Sequence, residues 1–373
     1  MLAAAGRSWR ARLEQALLRQ WQRPRPGPAL WPLLPLQALH VAVLRLRRAL
    51  YDHGLVRRHP APRPLIVVGN LVAGGAGKTP TVLALLPLLR ALGHRPGVIS
   101  RGHGRREDPA QPVRLLQADD RAEDVGDEPL LIHLRGQVPV AVGRDRLRAA
   151  HALCEAHPEL TVLVADDGLQ HLRLRPDVSV LVFDDRGCGN GWCLPMGPLR
   201  EPLPSRLPPR TLVLYSAGVA STAWPGHLGQ RTLAGSLPLA DWRRGLPARP
   251  LRRLMPTAAP EGARSTPNRL WAAAGLARPD RFFEMLRDAG LTLEHTLALP
   301  DHARLQTTPW PEDAELCVLV TEKDAVKLPS AQAGGTRLEV VRLDFDPGPA
   351  FGPALAQALQ QAQAARAAAA TTP

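Results

Sequence analysis

The stretch that most restricts the fold is residues 69–80, GNLVAGGAGKTP, set between a short apolar run and an Ala/Leu-rich segment. Leu65–Gly69 (LIVVG) has the length and branching of a buried strand. Residues 79–92 read as a helix with Pro80 in its first turn, where a missing N–H costs little; Pro87 should kink or shorten it. Strand, glycine loop and helix in that order make a phosphate cradle, because backbone N–H groups and the positive helix end point at one anion. Lys78 is then placed for the β- and γ-phosphates of a nucleotide, and the Thr79 hydroxyl for Mg²⁺. Val72, Ala73, Gly74, Gly75, Ala76 and Gly77 complete the predicted nucleotide contact. Val72 stands where the strict motif has glycine, and Gly74 and Gly75 supply flexibility nearer the lysine.

Further strands are expected at residues 97–100, 138–142, 160–165, 178–183 and 211–215, with a helix over 144–156. Strands alternating with helices predict an α/β fold, a P-loop NTPase-like doubly wound, mainly parallel sheet with ligands beyond the carboxyl ends of its strands. Residues 220–268 are rich in Pro, Gly and Arg with weak periodicity, which places a domain junction there. A smaller α/β unit follows, with strands at 270–274, 316–320 and 338–343, helices at 279–289 and from about 350, and a fraying Ala/Gln-rich end. The expected organisation is therefore 1–60, an interface segment; 61–225, the nucleotide domain; and 226–373, a second domain closing over the site.

A net charge of +13 favours polyanionic partners such as nucleic acid, anionic lipid or phosphorylated substrates, although part of it follows an Arg- and Pro-rich composition. Four cysteines without CxxC spacing argue for reduced thiols and against a zinc site. The amino terminus lacks a secretory pattern. Residues 29–44 are mostly apolar but hold Pro32, Pro35 and His40, so the run falls short of the ~20 residues a spanning helix needs. Trp31 at one end and Arg45, Arg47 and Arg48 at the other suit a helix lying in an anionic interface; packing on the core is the alternative.

Carboxylates sit where phosphoryl transfer needs them. The predicted strand TVLVA runs into Asp166-Asp167-Gly168, the usual place for a metal ligand beside a P-loop. Adjacent acids face opposite ways, so one meets Mg²⁺ and the other a base or an arginine; a tight turn is the competing reading. Arg101 and Arg105, spaced by glycines after another strand, suit bidentate phosphate contacts or a solvated loop. Gly126-Asp127-Glu128 supplies a catalytic carboxylate or merely a helix start, and Asp301-His302 an acid–histidine pair or surface decoration. Thr321-Glu322-Lys323-Asp324 is either a base-reading loop or a helix cap.

Taken in order, these segments resemble the tetraacyldisaccharide 4'-kinase family of lipid A synthesis. The likeness runs from the apolar amino-terminal stretch through GGAGKTP, SRGHGR, GDEP, VPVAVGRDR, DDGLQH and GNGWCLPMGPLRE to AAAGLARPDRFF, DH and TEKDAVK. It implies ATP and Mg²⁺ as cofactors and transfer to the 4'-hydroxyl of a tetraacylated glucosamine disaccharide 1-phosphate, an anionic glycolipid, forming lipid IVA. It implies a peripheral, monotopic enzyme on the cytoplasmic side of the bacterial inner membrane, with no nucleic acid and no protein partner. It makes Asp127 and His302 the pair that activates the sugar hydroxyl, and Asp166 and Asp167 the metal and charge-relay carboxylates. Arg101, Gln170, His171, Asn190 and Arg200 are then expected to hold substrate. His103 stands where tyrosine is commoner, and Ala303 where some members are polar. Against a nucleic-acid ATPase stand the 4% aromatic content and the lack of a recognition module; against a degenerate scaffold stand Lys78, Thr79 and Asp166.

Overall fold

The computed structural model of the chain describes residues 16–371, apart from 107, 256–268, 301–304, 306–307 and 329–334. Strands β1 (Leu65–Gly69), β2 (Pro96–Ser100), β3 (Val113–Leu115), β4 (Val140–Gly143), β5 (Val162–Asp166), β6 (Val178–Phe183), β7 (Thr211–Tyr215) and β8 (His227–Leu228) form one sheet. Its order is β8-β7-β6-β1-β5-β2-β4-β3, parallel except for β3 against β4. β1, β2, β4, β5 and β6 are buried throughout, as apolar strands must be when both faces are covered.

The helices of this half are α1 (Leu34–Asp52), α2 (Lys78–Ala91), α3 (Asp127–Gly136) and α4 (Arg146–Ala156). The side-chain alternation of β1 assigns them to faces. Leu65 and Val67 pack with Ala149, Ala150 and Leu153 of α4, whereas Ile66 and Val68 pack with Val82, Leu85, Leu86 and Leu89 of α2. That second face does not meet solvent. Strands β9 (Gln230–Pro238), β10 (Arg269–Ala274), β11 (His295–Ala298), β12 (Leu316–Thr321) and β13 (Arg337–Asp346) form a second sheet ordered β9-β13-β12-β10-β11, and His59–Pro60 pairs separately with Leu174–Arg175. Val318, Val320, Val340 and Phe345 of this sheet join the α2 cluster, so the helix behind the glycine loop lies between two sheets. The far face of the second sheet packs on α5 (Pro279–Asp288) through Phe282, Phe283 and Leu286.

Four expectations change. α2 runs through Pro87 to Ala91, because four apolar side chains buried on one face outweigh a cost of about 3 kcal/mol for an internal proline. Residues 230–238, expected to be irregular, are β9, the antiparallel edge of the second sheet. A register shift between Leu233 and Gly235 breaks the alternation that would have marked it. The carboxyl-terminal helix α7 (Phe351–Thr371) is tied to the fold from Phe351 to Arg366. Phe351, Leu355, Ala358, Leu359 and Ala362 are buried, at about 1.5–3 kcal/mol for each large side chain, and Arg366 binds both oxygens of Asp177 at 2.9 and 2.7 Å. Because α7 packs on β6 and β7, the last segment of the chain returns to the first sheet and the two halves share one core.

The fourth change concerns the amino terminus. A 3-10 turn, Pro28–Leu33, leads into α1, and together they make a 25-residue element long and apolar enough by composition to cross a membrane. The helix nevertheless lies along the protein. His40 Nε2 is 3.3 Å from the Arg200 carbonyl, Arg47 donates to the Gln170 carbonyl at 3.3 Å, and Arg48 pairs with Glu201 at 3.3 Å. Trp31, Leu34, Leu36, Leu39, Val43 and Leu46 face outward, exposed.

Candidate active site

The glycine loop is stapled from inside by Asn70. This residue is fully buried, and its amide donates to the carbonyls of Val72 at 2.6 Å and Gly74 at 3.3 Å. Its Oδ1 accepts from Lys78 Nζ at 3.2 Å, so one side chain shapes the loop and aims the lysine. Gly74 and Gly77 have φ of +100° and +95°, a conformation that disfavours any other residue. At Gly77 a Cβ would also fall 2.4 Å from the Arg231 guanidinium. Val72 is buried in a β-bridge with Leu199, and Ala73 N–H donates to Pro198 O at 2.7 Å. These two predicted nucleotide contacts also anchor the loop to residues 198–199. An extended bridging position suits valine, which explains why glycine is not needed there.

Val68 of β1 pairs with Asp166, the last residue of β5, so the carboxylates stand beside the root of the glycine loop. The adjacent acids do point apart. Asp166 is 1% exposed, and its Oδ1 has no hydrogen-bond partner. Burial, then the negative charges of Glu128 and Asp167, push its carboxyl up to about 8. Asp167 has φ +50° and faces outward, where Arg200 binds its two oxygens at 3.0 and 3.1 Å and Lys78 lies 3.6 Å away. The turn and the paired-carboxylate readings of this segment are thus one structure.

Gln170 joins the same network: its amide donates to Asn70 O at 3.3 Å and to Glu201 Oε1 at 3.0 Å. His171 is half-buried with an unpartnered Nε2, and burial followed by the Arg146 charge pushes it down to about 4, so the ring is neutral at pH 7. Arg101 is exposed at the end of β2. Asn190 faces its own loop, donating to Met196 O at 2.9 Å and accepting from Trp192 N at 3.1 Å, which commits its amide to holding residues 190–196. Thr79 lies at the start of α2, nearly buried.

Asp127 opens α3, and Lys327 Nζ lies 3.8 Å from its carboxylate. Asp301 and His302 fall outside the described residues. The Thr321–Asp324 segment is a helix cap: Thr321 Oγ1 accepts from Asp324 N at 3.2 Å at the start of α6 (Glu322–Ala325). Sequence reasoning missed Asn70, Arg146, Arg231 and Lys327. Asn70 follows an apolar strand directly, and Arg146 and Lys327 close the VPVAVGRDR and TEKDAVK segments, but their distance from the glycine loop in sequence hid what they contact.

A groove of about 200 Å³ separates the end of α1 from this network, lined by Arg45, Arg47, Arg48, Gln170 and Glu201. It brings the basic end of the apolar helix beside Gln170 and Glu201. Among the described residues, no three His, Cys, Asp or Glu side chains cluster to hold a metal.

The profile of one protein family, described as tetraacyldisaccharide-1-P 4'-kinase, matches residues 29–362. The chain belongs to this family. A tetraacyldisaccharide 4'-kinase of Methylibium petroleiphilum is 52% identical over 355 residues, covering 94% of this chain and 95% of the relative. Its counterpart from Leptothrix cholodnii is 50% identical over 340 residues, covering 90% and 93%. Among solved structures, an "apo" form LpxK from Aquifex aeolicus in complex with ATP superposes with a TM-score of 0.69 at 24% identity. That match covers 88% of this chain and 98% of that one, and establishes the shared fold.

Proposed function

We propose that the chain carries out its family's reaction, transferring the γ-phosphate of ATP to the 4'-hydroxyl of a tetraacylated glucosamine disaccharide 1-phosphate, with the site assembled around Lys78. The observation that carries the site assignment is a buried carboxylate oxygen without a partner, Asp166 Oδ1. It lies close to a lysine that the glycine loop holds between Asn70 and Asp167. An orphaned buried oxygen invites a cation, and Thr79 at the helix start offers the second ligand expected of a P-loop Mg²⁺ site. When bound, Mg²⁺ supplies positive charge against the phosphate oxygens.

The other roles follow from placement. Residues 74–79 wrap the phosphates with backbone N–H groups, and Lys78 binds β- and γ-oxygens from the position in which Asn70 holds it. Asp167, fixed by Arg200, orients Lys78. Asp127, with His302 as its proposed partner, takes the proton of the 4'-hydroxyl as the new P–O bond forms and ADP leaves. Arg101, Gln170, His171 and Arg200 hold the anionic head group, and Asn190 supports that surface indirectly through its loop.

The exposed apolar face of α1 would rest in the cytoplasmic leaflet of the inner membrane while its half-buried face stays on the protein, a peripheral arrangement. Arg45, Arg47 and Arg48 then lie at head-group depth, and the groove they line reaches Gln170 and Glu201.

The test is transfer of label from γ-labelled ATP with Mg²⁺ to tetraacyldisaccharide 1-phosphate in mixed micelles. A labelled lipid bearing two phosphates, absent with Lys78→Ala, is expected. Label appearing only as inorganic phosphate, at a rate indifferent to the lipid, would overturn the reading.

A further inference from the structure

The segment Thr321-Glu322-Lys323-Asp324-Ala325-Val326-Lys327 follows β12 and has no part in the reaction described above. It meets α3 through three ion pairs: Glu322 with Arg135, Lys323 with Glu128 at 3.6 Å, and Lys327 with Asp127 at 3.8 Å. The last differs from a surface contact. The Lys327 side chain is only 5% exposed, and its ammonium also donates to Asp324 Oδ1 at 3.1 Å.

Asp324 is itself rigidly held. It is fully buried, and its other oxygen accepts from the Gly275 amide at 2.9 Å and from the Thr321 hydroxyl at 2.7 Å. Gly275 admits this approach because it has no side chain; a Cβ there would fall 2.6 Å from the Asp324 carboxylate. The ammonium is thus fixed from behind through Gly275, just after β10, and Thr321, the last residue of β12, and its second carboxylate, at ion-pair distance, is the first residue of α3. A buried ammonium needs such acceptors to offset its lost hydration, and a carboxylate so contacted loses freedom to rotate away.

We propose that Lys327 is a positioning residue for the transfer reaction: anchored on Asp324, it orients the Asp127 carboxylate toward the acceptor hydroxyl. The second sheet then contributes to catalysis without touching substrate, by setting where α3 presents its first side chain. The inference rests on the reading of Asp127 as the group that receives the hydroxyl proton.

The test compares Lys327→Met, Asp127→Asn and the double variant in the full chain. Steady-state transfer to micellar lipid acceptor, ATP affinity and thermal midpoint are measured for each. Lys327→Met should lower kcat roughly 10- to 100-fold, the range of one buried ion-pair contact, with KM for ATP unchanged. In the Asp127→Asn background the same change should cost no more than about twofold, since its target is already gone. Wild-type kcat in Lys327→Met, an equal loss in ATP affinity, or a full further loss on top of Asp127→Asn would each overturn the proposal. Asp127→Asn with wild-type kcat would instead overturn the underlying reading of Asp127, and the inference with it. If Lys327→Met leaves Asp324 an unpaired buried charge and does not fold, Lys327→Met with Asp324→Asn removes both charges and carries the same readouts.

Discussion

Asp166 ends β5 in the eight-stranded sheet, and Glu339 lies midway along β13 in the five-stranded one; both carboxylates are buried. Glu339 is surrounded, with Arg337 donating to Oε1 at 2.8 Å and Arg253 binding both of its oxygens. Asp166 keeps an oxygen with no partner and a proton up to about 8. The same contrast holds for Asp324, whose two oxygens are filled by Lys327, Gly275 and Thr321, against His171, whose Nε2 faces none. Buried polar groups are normally satisfied, so the lesson is positional. Glu339 and Asp324 brace the second sheet, whereas Asp166 is left short of a partner beside the glycine loop.

The contrast can be broken first at the glycine loop. Lys78→Ala should reduce transfer on the order of 10²- to 10³-fold, the loss typical of one preorganised electrostatic contact, and leave the thermal midpoint nearly unchanged. A collapse in both would make the Asn70–Lys78–Asp167 network structural. The second sheet should answer in the opposite sense. Glu339→Gln is expected to cost about 2 kcal/mol in chemical denaturation, because the buried side chain loses its charge-assisted hydrogen bonds to two half-buried guanidinium groups, while kcat per folded molecule holds.

A smaller effect sharpens the comparison. Asp166 binds its proton more tightly folded than unfolded, so between pH 4 and 8 the folded state holds more protons and stability falls as pH rises. Asp166→Asn should abolish transfer yet raise Tm by about 2 °C at pH 8 in metal-free buffer, with the gain fading toward pH 4. The smallest effect belongs to His171. Its folded value of about 4 lies below the ordinary 6.5, so the unfolded chain binds more protons between those values and stability is lost as pH falls through that window. His171→Asn should flatten that acid slope, with a modest effect because the ring is half exposed.

Local chemistry made much of this legible from the chain alone. A strand, a glycine loop with Lys78 and Thr79 and a helix follow from residue type and spacing, because backbone conformation and phosphate binding are settled within about a dozen residues. The carboxylate pair after β5 was visible for the same reason: a strand end delivers its next side chains to one sheet edge. β9 was not, since its hydrogen bonds come from β13 a hundred residues later and a register shift hides its alternation. Nor was the staying power of α7, whose Ala-rich sequence promises little until Phe351, Leu355 and Arg366 find the first sheet.

The sequence by itself determined the local elements: a glycine loop with Lys78 and Thr79 between a strand and a helix, two adjacent acids at the end of a neighbouring strand, and an apolar segment ending in arginines. Tertiary structure alone decided which of two adjacent acids is buried without a partner, that Asn70 aims Lys78, and that Asn190 braces its own loop. It also decided that Lys327 reaches Asp127 across 200 positions of sequence. The physical reason is that residue type and local spacing set what a side chain can do, whereas desolvation and partner supply, which decide whether it does so, depend on contacts that only the folded chain brings together.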